Sequence, residues 1–135
     1  GTNCGAGEFG MIPYKTRNLE SYCSGQFFKM EYGISGDELY KLAEKGDDKS
    51  LKIFAEFGEN LGDAIKIIMY TVDPEIIILG GSVSKAFRFY EEKMWQSVNK
   101  FAYQNSLKEL IINVSELDQI AILGAAALFY DATAA

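Results

Sequence analysis

Two consecutive glycines that follow a short apolar run form the part of this sequence best suited to contact a ligand. The run Ile76–Leu79 predicts a strand buried on both faces, and Gly80 and Gly81 then allow a sharp turn. Ser82 or Ser84 can cap a helix after that turn. A strand, a glycine turn and a helix N-terminus present backbone N–H groups and a positive dipole end to a phosphate. The pattern indicates a nucleotide contact, or else a tight connection in which glycine serves geometry alone.

The absence of histidine from the 135 residues removes several kinds of catalysis. Ser-His-Asp and Cys-His nucleophiles, imidazole bases and most zinc sites need that side chain. The two cysteines, Cys4 and Cys23, do not make the disulfide framework of a secreted protein and favour a reducing cytoplasm. Any chemistry here has to use carboxylates, hydroxyls, lysines or backbone donors.

Charge and hydropathy argue against two classes of partner. The net charge of −6 and the scattered Lys and Arg argue against nucleic-acid binding. No run approaches the roughly 18 apolar residues of a membrane span, and no basic-plus-apolar leader opens the chain. We therefore expect a cytoplasmic protein with no membrane partner and no nucleic-acid partner.

The elements that would position the glycine turn are mostly helices. The length predicts one domain, 1–135, in which residues 1–17 are glycine-rich and irregular and residues 18–131 form a helical and αβ core. Asn18 is placed to cap a first helix that stops at Gly33. Because a globular domain rarely begins with an irregular segment, we expect the chain to be a piece of a longer protein.

Two more helices precede the glycine turn. Ser35 and Glu38 form a capping box for a helix that ends at Gly46. A long helix should run from about residue 48 to 72 and end before Asp73-Pro74. Gly58 and Gly62 lie four residues apart on one face of it, where the lack of a side chain allows a neighbouring element to approach closely.

The second half of the chain predicts a strand-helix-strand unit. A helix from Ser84 to about Tyr103 separates the first strand from a second one at residues 110–114, and a right-handed crossover makes the two strands parallel. A last helix, about 118–130, is apolar nearly all round and should be buried. Two strands are too few for a stable sheet, so we expect a missing N-terminal part or a partner chain to pair with them.

Four segments, taken in order, resemble the ROK family of bacterial sugar kinases and sugar-responsive repressors. They are Gly5–Gly10, Leu19–Gly25, Ile76–Ser84 and Ile122–Ala127, and together they span nearly the whole chain. The resemblance is to the C-terminal half of such a protein. It implies an α/β fold that is a fragment of an actin-like ATPase, with ribonuclease H-like domains and with nucleotide and sugar in the cleft between them.

The resemblance implies a sugar site at two glutamates. The family's Glu-x-Gly-His motif binds sugar hydroxyls through its glutamate, and the matching residues here are Glu8-Phe9-Gly10-Met11. A further sugar-binding glutamate of the family matches Glu20. Met11 stands where the family has a zinc-ligating histidine, and residues 12–18 replace its cysteine-rich zinc segment. The resemblance therefore implies a branch without zinc.

The chemistry of the two glutamates is compatible with that role. An ionised carboxylate accepts two charge-assisted hydrogen bonds, which suits adjacent sugar hydroxyls. Glu8 lies in a glycine-rich loop where folding gives little reason for a charge. Glu20 lies in a first helical turn, where the helix dipole favours negative charge in any case, and that effect alone would explain it.

The same resemblance places Gly80, Gly81 and Ser82 beside ATP and leaves Gly124–Ala127 a packing role. The family's catalytic aspartate, in an Asn-Asp pair, and its Asp-x-Gly-x-Thr phosphate loop have no match in this sequence. Five aspartates read as cap or surface carboxylates of helices: Asp37, Asp47, Asp48, Asp63 and Asp118. We therefore expect the C-terminal half of an ATP- and Mg²⁺-dependent hexose or N-acetylhexosamine kinase, with no catalytic residue of its own and not catalytic alone.

Two alternatives stay open at this point. One is the sugar-sensing region of a repressor of the same family, in which a basic helix-turn-helix would precede the chain. The other is a self-association module with no ligand, since exposed strand edges and an apolar last helix would suit a homo-oligomer.

Overall fold

Helices dominate the computed structural model, which describes residues 8–115. The helices are α1 (Leu19–Cys23), α2 (Gln26–Tyr32), α3 (Gly36–Glu44), α4 (Asp48–Val72), α5 (Phe87–Val98) and α6 (Gln104–Glu109). The strands are β1 (Pro13–Tyr14), β2 (Arg17–Asn18), β3 (Ile76–Leu79) and β4 (Ile111–Val114), and 3₁₀ turns cover Phe9–Met11 and Ser82–Ala86. The expected α/β class is confirmed: residues 8–115 are mostly helical and include one pair of parallel strands.

Helix α4 forms the centre of the described part, and α5 packs closely along it. A Cβ built on Gly58 would lie 2.4 Å from the carbonyl oxygen of Tyr90, and one on Gly62 would lie 2.4 Å from the Cβ of Ser97. The close approach predicted for these two glycines is confirmed. Around the contact, Phe57, Leu61, Tyr90, Met94 and Val98 are fully buried.

The predicted helix ends are largely those observed. Asn18 accepts a hydrogen bond from the backbone N–H of Ser21 at 2.9 Å, and Ser35 accepts one from Glu38 at 3.2 Å. Gly33 ends α2 in the left-handed conformation, at φ 65°. Helix α4 has the predicted bounds, with Asp47 as its N-cap. Local side-chain chemistry therefore fixes where these helices begin and end.

Strands β3 and β4 pair in parallel, with Ile76 opposite Ile111 and Leu79 opposite Val114. The prediction that β3 is buried on both faces is wrong in part, because only Ile77 and Leu79 are buried and the two alternate residues are half-buried. Within residues 8–115 the sheet has only these two strands.

Three details of the predicted helices are wrong. The first helix is broken at Ser24 and Gly25 into α1 and α2. The helix after the glycine turn begins at Phe87 and ends at Val98, and the separate α6 follows it. Ser84 does not cap that helix, because its hydroxyl donates to the carbonyl of Gly81 at 2.8 Å. Residues Ser82–Ala86 form a 3₁₀ turn that comes before the helix.

Residues 8–17 are more regular than the sequence predicts. Strands β1 and β2 form an antiparallel hairpin, with Pro13 opposite Asn18 and Tyr14 opposite Arg17. Lys15 at its tip is in the left-handed region, at φ 51°. The predicted last helix and the Gly124–Ala127 segment lie outside the described residues. Over 8–115, the helices are all too short or too polar to span a bilayer.

Candidate functional site

The two glutamates predicted to bind sugar lie on neighbouring pieces of backbone. Glu8 is exposed and precedes the 3₁₀ turn Phe9–Met11, whose Met11 N–H donates to the carbonyl of Glu8 at 3.1 Å. Glu20 is exposed in the first turn of α1, and a Cβ on Gly10 would lie 3.2 Å from the Cβ of Glu20. The carboxylate of Glu20 therefore borders the loop that carries Glu8.

Helix α1 connects this loop to the glycine turn. Its C-terminal residue is followed by Ser24, whose hydroxyl donates to the carbonyl of Glu20 at 2.7 Å. The next residue is Gly25, where a Cβ would lie 3.3 Å from the hydroxyl oxygen of Ser82. Five residues of helix advance by about 7.5 Å, so the two predicted contact regions lie at opposite ends of one short helix.

The glycine turn has the backbone geometry that its sequence predicts. Gly81 has φ 81° and ψ −174°, a conformation open to glycine and strained for other residues. Gly80 is buried and Ser82 is exposed beside it. The turn therefore lets the chain pass from β3 into the 3₁₀ segment while the Ser82 hydroxyl stays accessible.

A cavity of about 120 Å³ lies between this turn and the start of α3. Ser82 and Lys85 line one side, and Ser35, Gly36 and Asp37 line the other. Its apolar wall consists of Phe28, Tyr40, Phe54, Val83 and Ala86. The cavity combines aromatic surface with one cationic side chain, Lys85, and one anionic side chain, Asp37, which suits a flat apolar group that carries polar substituents.

A network of polar side chains beneath the hairpin was not predicted from the sequence. The Tyr14 hydroxyl lies 2.6 Å from Oδ2 of Asp63 and 3.1 Å from Oδ1 of Asn60. The ammonium of Lys15 donates to the same Asn60 oxygen at 2.7 Å. Asn60 is buried in α4, with 1% of its surface exposed. The sequence does hold a sign of this network: Asn60 and Asp63 are three residues apart, so both lie on one face of the helix, next to Gly62.

The prediction that Asp63 is a surface carboxylate holds in part, since 43% of its side chain is exposed, but the carboxylate also bonds to side chains of β1 and α5. In addition to the hydrogen bond from Tyr14, the Asp63 carboxylate accepts a hydrogen bond from the Ser97 hydroxyl of α5 at 3.0 Å. It also forms an ion pair with the ammonium of Lys66 at 3.2 Å. Partial burial raises the pKa of Asp63, but the hydrogen bonds from Tyr14, Ser97 and Lys66 outweigh it and leave that pKa below its usual value. Burial, and after it the hydrogen bond to Asp63, raises the pKa of Tyr14, so its hydroxyl stays a donor.

The described residues offer no cluster that could hold a metal ion by itself. Over residues 8–115, no three His, Cys, Asp or Glu side chains converge on one point. Cys23 is a buried free thiol that donates to the backbone carbonyl of Asn60 at 3.3 Å. Burial raises the pKa of Cys23 to about 12, which makes it a poor ligand or nucleophile. The absence of zinc implied by the resemblance stays a prediction.

Comparison with known proteins identifies the family. The family model of the ROK family matches residues 4–132. The chain belongs to the ROK family. A curated relative, the N-acetyl-D-glucosamine kinase of Vibrio vulnificus strain YJ016, is 30% identical over 131 residues, which are 93% of this chain and 41% of the relative. The chain spans less than half the length of the curated relatives it matches.

Solved structures of ROK proteins share the fold. One of them is a ROK family glucokinase from Streptomyces griseus in complex with glucose and AMPPNP. The match covers 90% of this chain and 50% of the glucokinase chain, with TM-score 0.67 and 20% identity. A ROK family transcriptional regulator, a homologue of the Escherichia coli MLC protein, matches 86% of this chain and 33% of its own, with TM-score 0.65 and 22% identity. The predicted actin-like ATPase fold is thereby confirmed.

Proposed function

We propose that this chain is the C-terminal half of an ATP-dependent sugar kinase, which transfers a phosphoryl group from ATP to a sugar hydroxyl. The observation that carries the proposal is the position of α1. Its first turn holds Glu20 against Gly10, and Gly25, two residues after its end, packs on Ser82 of the glycine turn. A sugar and a nucleotide bound at the two ends of so short a helix would meet.

On the sugar side, Glu8 and Glu20 are the proposed binding residues. Both carboxylates are exposed and border the same loop, so each can accept hydrogen bonds from adjacent hydroxyls. Because the matched curated relatives are N-acetyl-D-glucosamine kinases, we propose N-acetylglucosamine as the first substrate to test. Glucose is the natural comparison, since the solved Streptomyces griseus glucokinase holds it.

On the nucleotide side, Gly80, Gly81 and Ser82 form the proposed contact. The cavity next to them, of about 120 Å³, is too small for a whole nucleotide and supplies one wall of a larger cleft. Lys85 borders it and can neutralise phosphate charge. The opposing wall belongs to the N-terminal half of the fold.

No role in holding Mg²⁺ is assigned to these residues. A hexacoordinate Mg²⁺ needs carboxylates or phosphates, and no group of converging acidic side chains exists in the described part. We propose that the ion enters with ATP, as is usual in phosphoryl transfer, and that this chain contributes sugar and nucleotide contacts only.

The proposal predicts that the chain is inactive alone and active when completed. The test is ATP-dependent phosphorylation of N-acetylglucosamine or glucose, measured by ADP release, with this chain alone and with the full polypeptide that carries the N-terminal half as well. We expect turnover only from the full polypeptide. Turnover by the chain alone would contradict the division of roles, and no turnover with any hexose or N-acetylhexosamine would contradict the kinase.

A second candidate is the sugar-sensing region of a ROK-type repressor, supported by the structural match to the transcriptional regulator. It shares the sugar contacts and lacks the reaction. Sugar binding by the full polypeptide without any phosphorylation, together with operator binding, would favour this candidate.

We also propose a cytoplasmic homo-oligomer. Apolar side chains exposed near the parallel strand pair support self-association: Tyr70, Val72, Tyr103, Ile111 and Val114. Sedimentation of the full polypeptide tests this, and a monomer at micromolar concentration would contradict it.

A further inference from the structure

The hairpin between Glu8 and Glu20 is too short to hold its own position. Each of its strands has two residues, Pro13–Tyr14 and Arg17–Asn18. An isolated pair of such strands has marginal stability in water. Its geometry must therefore be imposed by contacts outside the hairpin.

Tyr22 of α1 supplies some of those contacts, since its hydroxyl lies 2.6 Å from that of Thr16 and its ring meets the ring of Tyr14 edge-on. Helix α4 supplies the others through two polar side chains. Tyr14 reaches Asp63 at 2.6 Å, and Lys15 reaches Asn60 at 2.7 Å. Asn60 is fully enclosed, so its amide oxygen is a fixed acceptor in the core. Both bonds are charge-assisted, one through the Asp63 carboxylate and the other through the Lys15 ammonium. Lys15 is exposed and Tyr14 is half-buried, so water screens the Lys15 bond more, and the Tyr14 bond should be the main attachment.

Asp63 is itself fixed from two other directions. Ser97 of α5 donates to its Oδ1 at 3.0 Å, and Lys66 pairs with the same oxygen at 3.2 Å. The other oxygen, Oδ2, faces Tyr14. The acceptor for the hairpin is therefore held in place by the central helix pair, whether or not the hairpin is docked.

The hairpin is also joined to both sugar-site glutamates. At its start, Ile12 follows the 3₁₀ turn that Glu8 begins, and the carbonyl of Ile12 accepts the N–H of Leu19 at 2.9 Å. At its end, Asn18 caps α1, which carries Glu20. A shift of the hairpin against α4 would therefore move both carboxylates together.

We propose that the Tyr14–Asp63 hydrogen bond, supported by Lys15–Asn60, positions Glu8 and Glu20 for the sugar. Tyr14 and Asp63 are positioning residues in this proposal and do not touch the substrate. The proposal rests on the proposed sugar-kinase function. Its specific consequence is that loss of the bond weakens sugar use far more than nucleotide use, because the glycine turn follows β3 directly and meets α1 only at Gly25, beyond the far end of that helix.

The test is a comparison of Tyr14→Phe and Asp63→Asn with Tyr32→Phe in the full polypeptide. Tyr32→Phe is a matched control, since the Tyr32 hydroxyl also donates to a carboxylate of α4, that of Glu56, and lies outside the hairpin. We expect Tyr14→Phe and Asp63→Asn to raise the KM for the sugar about tenfold, with kcat and the KM for ATP within about twofold. A sugar KM like that of the control, or an equal rise in the KM for ATP, would overturn the proposal.

A second measurement decides the matter if the full polypeptide neither binds nor phosphorylates a sugar. Hydrogen exchange of the amides of Met11, Ile12 and Leu19 reports directly on the loop and needs no ligand. Exchange at these sites about fivefold faster in Tyr14→Phe than in Tyr32→Phe would support the attachment while the kinase proposal fails. Equal exchange in the two variants would overturn the attachment itself.

Discussion

Replacing Gly58 with alanine is expected to force α4 and α5 apart. The new Cβ would lie 2.4 Å from the carbonyl oxygen of Tyr90 and 3.1 Å from the backbone nitrogen of Met94. Carbon and oxygen atoms in close contact normally lie about 3.3 Å apart, so the helices have to separate by roughly 1 Å. Both atoms belong to the backbone, so no change of rotamer can relieve the overlap.

The cost can be estimated from two opposing effects. Overpacking of a core costs about 1–3 kcal/mol, and the upper end applies because a backbone has to move. Alanine in place of glycine returns about 1 kcal/mol through its higher helix propensity. The expected net loss in the free energy of unfolding is about 2 kcal/mol, which for a chain of this size lowers Tm by about 7 °C.

Urea unfolding followed by circular dichroism at the helical band measures this loss. Glu59→Ala is the control, because it introduces the same residue at the next position of α4, which is exposed. That variant should unfold within about 0.5 kcal/mol of the unaltered chain. If Gly58→Ala proves as stable as the unaltered chain, or more stable, then helix propensity outweighs packing and the close approach of the two helices is refuted.

Three further predictions concern single side chains. The pKa of Asp63 is lowered in the folded state, so its carboxylate stabilises the fold above about pH 4. That stabilisation is lost as the pH falls through the folded-state pKa. The drop in Tm on acidification should therefore be smaller in Asp63→Asn than in the unaltered chain. Cys23 is 1% exposed with a raised pKa, so iodoacetamide at pH 8 should alkylate it only after unfolding, as read by mass spectrometry of its peptide. Labelling of Cys23 itself in the native chain would contradict its burial. The buried hydroxyl of Tyr90 has no hydrogen-bond partner among residues 8–115, so Tyr90→Phe should be neutral or more stable by about 1 kcal/mol in urea, and a clear loss would mean that the hydroxyl is bonded.

The sequence was sufficient to predict elements whose causes are local. The cap of α1 at Asn18 and the 25 residues of α4 follow from capping side chains and apolar spacing, and both are confirmed. The close contact at Gly58 was also predictable, since a glycine inside a helix lowers stability unless something packs against it. The family follows from motifs in order, and the family model confirms it.

Features that depend on distant residues were not predictable in the same way. The hairpin at residues 13–18 carries no strong turn pair, and it is held by Asn60 and Asp63, more than 40 positions along the chain. The break comes at Ser24, whose backbone is extended, and the next residue, Gly25, lies against Ser82, a contact that local propensity cannot reveal. Asp63 looked like a surface carboxylate because its hydrogen-bond donors lie on β1 and α5. Tertiary contacts decided all three.

The central claim is that Glu20, on the helix that joins the two predicted contact regions, binds the sugar. Calorimetric titration of the full polypeptide with N-acetylglucosamine, in the presence of AMPPNP, tests it with Glu20→Gln and the matched control Glu38→Gln. Glu38 also lies exposed in a first helical turn, that of α3. We predict sugar affinity at least about tenfold weaker in Glu20→Gln, unchanged in Glu38→Gln, and AMPPNP affinity unchanged in both. If the two variants bind the sugar equally well, Glu20 serves only to interact favourably with the helix dipole, and the central claim is contradicted.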